Sequence, residues 1–159
     1  MKWVADGIIS PGEYPAIVKP HSDYAISWRS DGQFIYVAMQ AKTAGFVAVG
    51  FKPTQFMMNA DMVFGFVKNG QASIYDMYST GEFGPHPPDT DLGGTNDIIE
   101  FGGKEEGGDT TIEFKRALNT GDKYDQPLLP GTNKIIWSYG LNDEITQKHV
   151  VRGSGEIGL

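Results

Sequence analysis

The sequence predicts an all-β protein, because short runs of alternating apolar and polar residues recur along the chain and turn residues separate them. The 159 residues include 21 glycines and 9 prolines, whereas helical periodicity is nearly absent. About nine or ten short strands at this spacing are typical of an antiparallel β-sandwich or a closed barrel. The chain length fits a single domain over 1–159.

The predicted strands cover 24–29, 33–41, 45–51, 61–67, 72–78, 97–101, 110–114, 134–139 and 147–151. Asp-Gly at 31–32 and Asn-Gly at 69–70 lie between alternating runs and predict hairpins. The segment 45–51 is nearly all apolar, which favours a central strand. A glycine-rich, acidic turn is expected at 102–109 and at most one helical turn at 116–122. Residues 85–95 form the longest stretch without strand character, and such loops are often functional.

The charge and the termini exclude some functions. The chain has 13 basic and 20 acidic residues, a net charge of −7, which argues against nucleic acid and anionic membranes as partners. No segment approaches the roughly 20 apolar residues of a membrane span. The N-terminal residues lack the apolar region of a signal peptide, so we expect either a cytosolic protein or a chain whose leader is missing.

The inventory of metal ligands is narrow. There are no cysteines, three histidines and six methionines, which excludes disulfides, thiolate metal sites and covalent c-type haem attachment. The glycine pairs do not open a helix after a strand, so they do not predict a phosphate-binding loop. Methionines cluster at 57–62 between two predicted strands, where Met is either a core residue or a soft thioether ligand.

Several short motifs occur in one order along most of the chain. They are Gly-Phe-Val-Ala-Val-Gly-Phe at 45–51, Met-Met-Asn-Ala-Asp at 57–61, Asp-Met-Tyr-Ser at 76–79, Asp-Leu-Gly-Gly-Thr-Asn-Asp at 91–97, Ile-Glu-Phe-Lys-Arg at 112–116, Thr-Gly-Asp at 120–122, Ile-Trp-Ser-Tyr-Gly at 136–140 and His-Val-Val-Arg-Gly at 149–153. This order resembles DOMON domains, the haem- and sugar-binding sandwiches related to the cytochrome domain of cellobiose dehydrogenase and to bacterial and archaeal DOMON proteins. The resemblance implies an immunoglobulin-like antiparallel sandwich of about nine to eleven strands, with 1–22 as an N-terminal extension packed on it.

For haem-binding members, the resemblance implies noncovalent haem b with one Met and one His as axial iron ligands. The matching positions are Met57 and His149. Met58 is the alternative thioether and Lys148 a possible substitute for the histidine, while Met62 is expected in the core. A Met/His pair saturates the iron, which suits electron transfer without catalysis on a substrate. Arg152 is a candidate partner for a haem propionate.

The same resemblance implies an apolar haem cleft at one end of the sandwich. The aromatic candidates for its wall are Phe46, Phe51, Phe56, Trp137 and Tyr139. The implied partner is a redox protein or a membrane electron-transfer chain. The implied location is extracytoplasmic, meaning periplasmic, cell-surface or secreted, with the leader absent from this chain.

Other interpretations stay open at this point. A carbohydrate-binding module of the same fold without haem would use exposed aromatics such as Trp3, Trp28 or Tyr124. A structural or sensory domain of a larger membrane-linked redox protein is a third possibility.

Two smaller expectations concern individual side chains. The acidic residues of the long loop match several positions of a calcium loop, although no flanking helices are predicted; they are Asp89, Asp91, Asp97 and Glu100. His86 lies among prolines and His21 precedes the first predicted strand, so both are expected at the surface.

Overall fold

A computed structural model of the chain describes residues 2–81, 86–143 and 151–159. These residues form ten strands and one short 3₁₀-helix, Asp89–Leu92. The strands are β1 (Ala16–His21), β2 (Tyr24–Ser30), β3 (Phe34–Ala41), β4 (Val47–Phe51), β5 (Asp61–Lys68), β6 (Gln71–Tyr78), β7 (Glu100–Glu106), β8 (Asp109–Ala117), β9 (Thr132–Tyr139) and β10 (Val151–Gly158).

The strands form two antiparallel sheets of five strands each. The first sheet has the order β1-β2-β3-β8-β7 and the second the order β10-β9-β4-β5-β6. β4 lies at the centre of the second sheet, between β9 and β5, as its apolar sequence predicts. The predicted class, an antiparallel β-sandwich, is confirmed.

The main core lies between the two sheets. Alternate residues of each strand point inward, as the period of two in a strand requires. The first sheet contributes, among others, Ile26, Val37 and Ile112, and the second contributes Val49 and Val63; all of these side chains are fully buried. Alternation therefore determines which residues of a strand share a face.

Some predicted boundaries are wrong. The strand predicted at 97–101 is β7 and begins at Glu100, and it continues to Glu106 through the stretch expected as a turn. The actual turn has two residues, Gly107 and Gly108, with φ of 63° and 85°. Left-handed φ at both positions is what a tight hairpin turn requires, and glycine adopts it without steric cost.

Three further details complete the comparison with the predicted elements. The sequence allows at most one helical turn at 116–122, and none forms there, since the first two of these residues end β8. The 3₁₀-helix Asp89–Leu92 was not predicted. The last strand, β10, runs from Val151 to Gly158, whereas most of the predicted strand 147–151 lies outside the described residues. β1 was not predicted as a strand, since its Lys-Pro-His ending lacks alternation.

The N-terminal segment, residues 2–15 before β1, lies over the outer face of the first sheet. Glu113, on the outer face of β8, accepts hydrogen bonds from the backbone N–H groups of Asp6 and Gly7 and from the Tyr14 hydroxyl, at 2.7–3.0 Å. The rings of Trp3 and Tyr36 pack edge to face at 5.1 Å.

In the part of the chain that the structure describes, no helix has the length and apolar character needed to cross a membrane.

Candidate functional site

A cavity of about 830 Å³ lies over the outer face of the second sheet. Its volume is within the range of small-molecule and cofactor sites. Strands β4, β5, β9 and β10 form its floor, and the connection between β4 and β5 forms part of its wall. The expected cleft lay at an end of the sandwich, whereas this cavity lies on a sheet face.

The floor of the cavity is apolar because the outward positions of the central strands are apolar as well. Phe46, Ala48, Met62 and Phe64 form a second buried cluster, separate from the core between the sheets. A side chain at Gly50 would approach Ile136 Cγ1 to 2.7 Å, so glycine keeps this part of the floor low. An apolar sheet face of this kind is shielded from water only when another part of the protein or a ligand covers it.

Met57 reaches the cavity from a tight turn. Met58 N–H donates to the Gln55 carbonyl at 2.8 Å, which places Phe56 and Met57 at the tip of the turn. Met57 is half-buried and lines the cavity. Met58 does not line it. The structure therefore distinguishes two neighbouring thioethers between which the sequence left an alternative.

The backbone of this connection is unusual. Lys52, Phe56 and Asn59 have φ of 52°, 50° and 61°, although left-handed φ is uncommon in residues other than glycine. Asn59 is fixed by its side chain, because its Nδ2 donates to Thr54 Oγ1 at 3.0 Å and its Oδ1 accepts from the Tyr78 hydroxyl at 2.5 Å. The Met57 turn is thus held by hydrogen bonds within the connection and by one to Tyr78 of β6.

His86 also lines the cavity, and the expectation that it is exposed is wrong. Its ring stacks on Phe64 with centroids 5.0 Å apart, and the residue is half-buried. Burial lowers the pKa of His86, which favours the neutral imidazole that serves as a metal ligand. The prolines beside His86 predict extended backbone, but they give no information on which part of the protein this segment contacts.

Other predicted residues divide between the cavity and the core. Phe46 and Phe56 line the cavity, and Phe51 and Tyr139 are buried between the sheets. Trp137 borders the cavity but belongs to the core, where its ring stacks on Tyr24 at 4.9 Å. Met62 is buried as expected, but on the outer face, in the cavity floor. Arg152 is exposed on β10 and lines the cavity, where a guanidinium suits an anionic group of a ligand.

Two of the expected residues lie outside the described part of the chain. His149 and Lys148 are within 144–150, so the structure gives no position for either. β10 begins at Val151, two residues after His149 in the sequence. His21 is half-buried at the end of β1 and accepts a hydrogen bond on Nδ1 from Asp23 N–H at 3.0 Å.

The aromatic residues considered for sugar binding are mostly enclosed. Trp3 and Trp28 are 7% and 8% exposed, and their indole N–H groups donate to Tyr14 and to the Gly158 carbonyl. Neither indole presents a free face for stacking on a sugar. Tyr124 is half-buried and packs edge to face on Tyr78.

The predicted calcium loop does not assemble as the sequence suggested. Asp89 is fully buried and Asp97 half-buried, whereas Asp91 and Glu100 are exposed. Asp89 instead joins Asp125 in a group of carboxylates that come from separate parts of the chain. Sequence spacing missed this group because its members meet only in the folded structure.

Comparison with known proteins identifies the family of the chain and supports the fold. The sequence matches the DOMON domain family over residues 20–140. The chain belongs to the DOMON domain family. The DOMON domain resembles the solved cytochrome b domain of pyranose dehydrogenase from Coprinopsis cinerea, with a TM-score of 0.59 and 15% identity over 84% of this chain and 74% of that one. At that identity, the likeness shows the fold.

The DOMON domain is also similar to parts of larger animal proteins. DBH-like monooxygenase protein 1 of Mus musculus is 30% identical over 137 residues, which cover 84% of this chain and 22% of that protein. MOXD1 homolog 1 of Drosophila melanogaster is 32% identical over 126 residues, which cover 77% of this chain and 18% of that protein. The chain thus spans about a fifth of the length of these curated relatives, and the similarity concerns their DOMON part.

Proposed function

We propose that this DOMON domain binds haem b noncovalently in the cavity over the second sheet and exchanges single electrons with a redox partner. The observation that supports this most directly is that Met57 lines an apolar cavity of cofactor size. The second axial ligand in the proposal is His149, from the closing motif of the family, two residues before β10.

The residues of the cavity fit such a group. The thioether of Met57 is a soft ligand suited to haem iron. The apolar floor, with Phe46 and Phe64, suits a flat hydrophobic ring system, and Arg152 is available for a carboxylate at its edge. When bound, haem with two axial protein ligands supplies reversible one-electron chemistry.

The proposal includes a partner and a location. The partner is a redox protein or a membrane electron-transfer chain, and the location is extracytoplasmic. Both rest on the family resemblance. The monooxygenase named in the relatives is not part of the proposal, because the match covers about a fifth of their length.

The test is reconstitution of the full chain with haem b, followed by the reduced absorption spectrum. We expect a low-spin spectrum, because a Met/His pair fills both axial positions. Met57→Ala and His149→Ala are each expected to abolish it. Met58→Ala is the matched control, since Met58 is adjacent in sequence and does not line the cavity, and the spectrum should survive this substitution.

Three outcomes would change the proposal. Failure of the wild-type chain to bind haem would contradict it and favour the sugar-binding alternative. Loss of the low-spin spectrum in Met58→Ala but not in Met57→Ala would assign the thioether ligand to Met58 instead of Met57. Loss in His86→Ala with retention in His149→Ala would assign the histidine ligand to His86, which lines the cavity.

A further inference from the structure

A cluster of six aspartates closes one end of the sandwich, and none of them lines the cavity proposed for haem. It is formed by the ends of β5 and β6, the 3₁₀-helix and the loops before β7 and after β8, and its members are Asp61, Asp76, Asp89, Asp97, Asp122 and Asp125. Four of the six are at most 6% exposed. Carboxylates at that depth require compensation of their charge.

The protein supplies less positive charge than the cluster needs. Among the described residues, Arg116 forms an ion pair with Asp61 from the opposite sheet. Two of the other carboxylates accept hydrogen bonds from neutral donors: Asp97 N–H donates to Asp76 at 3.0 Å, and Thr120 Oγ1 donates to Asp125 at 2.6 Å. One guanidinium therefore faces six carboxyl groups, so the cluster keeps a large excess of acid.

Asp89 is the residue whose surroundings most need a ligand. It is fully buried, and among the described residues no group outside the carboxylate cluster forms a hydrogen bond with either of its side-chain oxygens. One oxygen each of Asp61 and Asp125 is also buried without a partner. An unsatisfied buried acceptor is costly, and a buried carboxylate with two such oxygens is more so. Burial, together with the neighbouring Asp125 and Asp76, raises the pKa of Asp89 to about 10.

The unpaired oxygens belong to groups with the geometry of cation ligands. Asp61, Asp76 and Asp125 offer oxygens within 4.8 Å of one another, and so do Asp89, Asp122 and Asp125. Ca²⁺ takes about six to eight oxygen ligands and accepts several protein carboxylates, whereas Mg²⁺ keeps several water ligands and uses only one or two carboxylates. An all-carboxylate set with no nitrogen or sulfur suits a hard cation.

From this geometry, we propose that the aspartate cluster is a calcium-binding site, with Asp125 as the ligand common to both groups. The site shares Asp89 and Asp97 with the predicted calcium loop but not Asp91 and Glu100, which are exposed. It does not depend on haem binding.

The cluster also connects with the Met57 turn. Gln126 N–H donates to Asp61 Oδ2 at 2.9 Å, and Gln126 Nε2 donates to the Asn59 carbonyl at 2.9 Å. Ordering of the cluster by a cation therefore also fixes the base of the connection that carries Met57. A cation at this end of the sandwich would support the cavity wall.

The test uses the full chain without haem, first treated with EDTA and then titrated with CaCl₂ by isothermal titration calorimetry. We expect one Ca²⁺ per chain and binding of Mg²⁺ weaker by at least about tenfold, because a site made of several protein carboxylates suits Ca²⁺ better than Mg²⁺. Calcium at 100 times its dissociation constant is expected to raise the melting temperature by roughly 5–10 °C. Asp89→Asn is expected to weaken calcium binding at least about tenfold.

Asp91→Asn and Glu100→Gln are the matched controls, since each removes an exposed acid of the same region and should leave calcium affinity unchanged. Without a cation, Asp89 is a neutral acid at pH 7, because its pKa is raised to about 10; Asp89→Asn replaces it by a neutral side chain of nearly the same shape, so the variant should fold with nearly the same melting temperature in EDTA. Equal melting temperatures of the wild-type chain in EDTA and in millimolar calcium would overturn the proposal. So would a loss of affinity confined to the two controls.

Discussion

At the scale of single residues, the pair of Asp61 and Arg116 is the main electrostatic contact inside the sandwich. Both side chains are at most 1% exposed, and the guanidinium joins β8 of the first sheet to β5 of the second. Arg116 also donates from NH2 to the Gln126 carbonyl at 2.9 Å and lies over the ring of Phe51 at 5.5 Å. A buried pair of this kind matters for stability mainly through what remains when one partner is lost.

Arg116→Met is therefore expected to lower the free energy of unfolding by about 3–5 kcal/mol, because it leaves the Asp61 carboxylate buried without its cation. The measurement is urea unfolding at pH 8 in EDTA. Arg29→Met is the control, since Arg29 lies on the outer face of β2 beside Tyr36, and its loss should cost less than about 1 kcal/mol. A cost for Arg116→Met as small as the control's would show that the pair is dispensable.

At the scale of elements, the N-terminal segment depends on one carboxylate. Glu113 receives three hydrogen bonds from this segment, from two backbone N–H groups and the Tyr14 hydroxyl. Burial nevertheless outweighs these donors and raises the pKa of Glu113 to about 7. For an acid with a raised pKa, protonation favours the folded state. The contribution of Glu113 is thus complete below about pH 4.5 and is lost as the pH rises to about 7.

Glu113→Gln tests this sign. The amide keeps an acceptor for the backbone donors but does not ionise. The stability of the Glu113→Gln variant therefore lacks the part of the pH dependence that Glu113 causes in the wild-type chain. The free energy of unfolding of the wild-type chain, minus that of the variant, should fall between pH 5 and pH 8. Urea unfolding at both pH values measures it. A difference that stays constant, or increases with pH, would contradict the raised pKa.

At the scale of the whole molecule, the two outer sheet faces differ. The outer face of the first sheet is covered by the chain's own N-terminal segment, through Trp3 and Glu113. The outer face of the second sheet carries an apolar cluster around Phe64 and an open cavity above it. The inner faces form the common core. The asymmetry between the outer faces leaves the second sheet as the one that can accept a ligand.

Ile112 tests the common core. It is fully buried at the centre of the first sheet, and a side chain placed on Gly65 of the second sheet would approach its Cγ2 to 2.8 Å. Ile112→Ala should therefore lower the free energy of unfolding by about 2–5 kcal/mol, by loss of apolar contacts and creation of a cavity. Ile99→Ala removes the same atoms from a side chain that is 56% exposed, and it should change stability by at most about 0.5 kcal/mol. Similar costs for the two would contradict this account of the core.

The period of two along the strands, and the glycine turns between them, are local properties of the sequence. They predicted the sandwich and most strands because side chains alternate between faces wherever the backbone is extended. The family motifs made Met57 the candidate thioether ligand by its position in an ordered pattern. β1 escaped prediction because its pairing with β2, not its own alternation, makes it a strand.

Which apolar face is the core and which is the cavity floor was decided only by the tertiary structure. Val47 and Val49 alternate with Phe46 and Ala48, so both faces of β4 are apolar in the sequence, and only the position of the first sheet separates them. The stacking of His86 on Phe64 and the meeting of Asp89 with Asp125 likewise join segments far apart in the chain. Local preference carries no information about such contacts, because packing of the complete sandwich creates them.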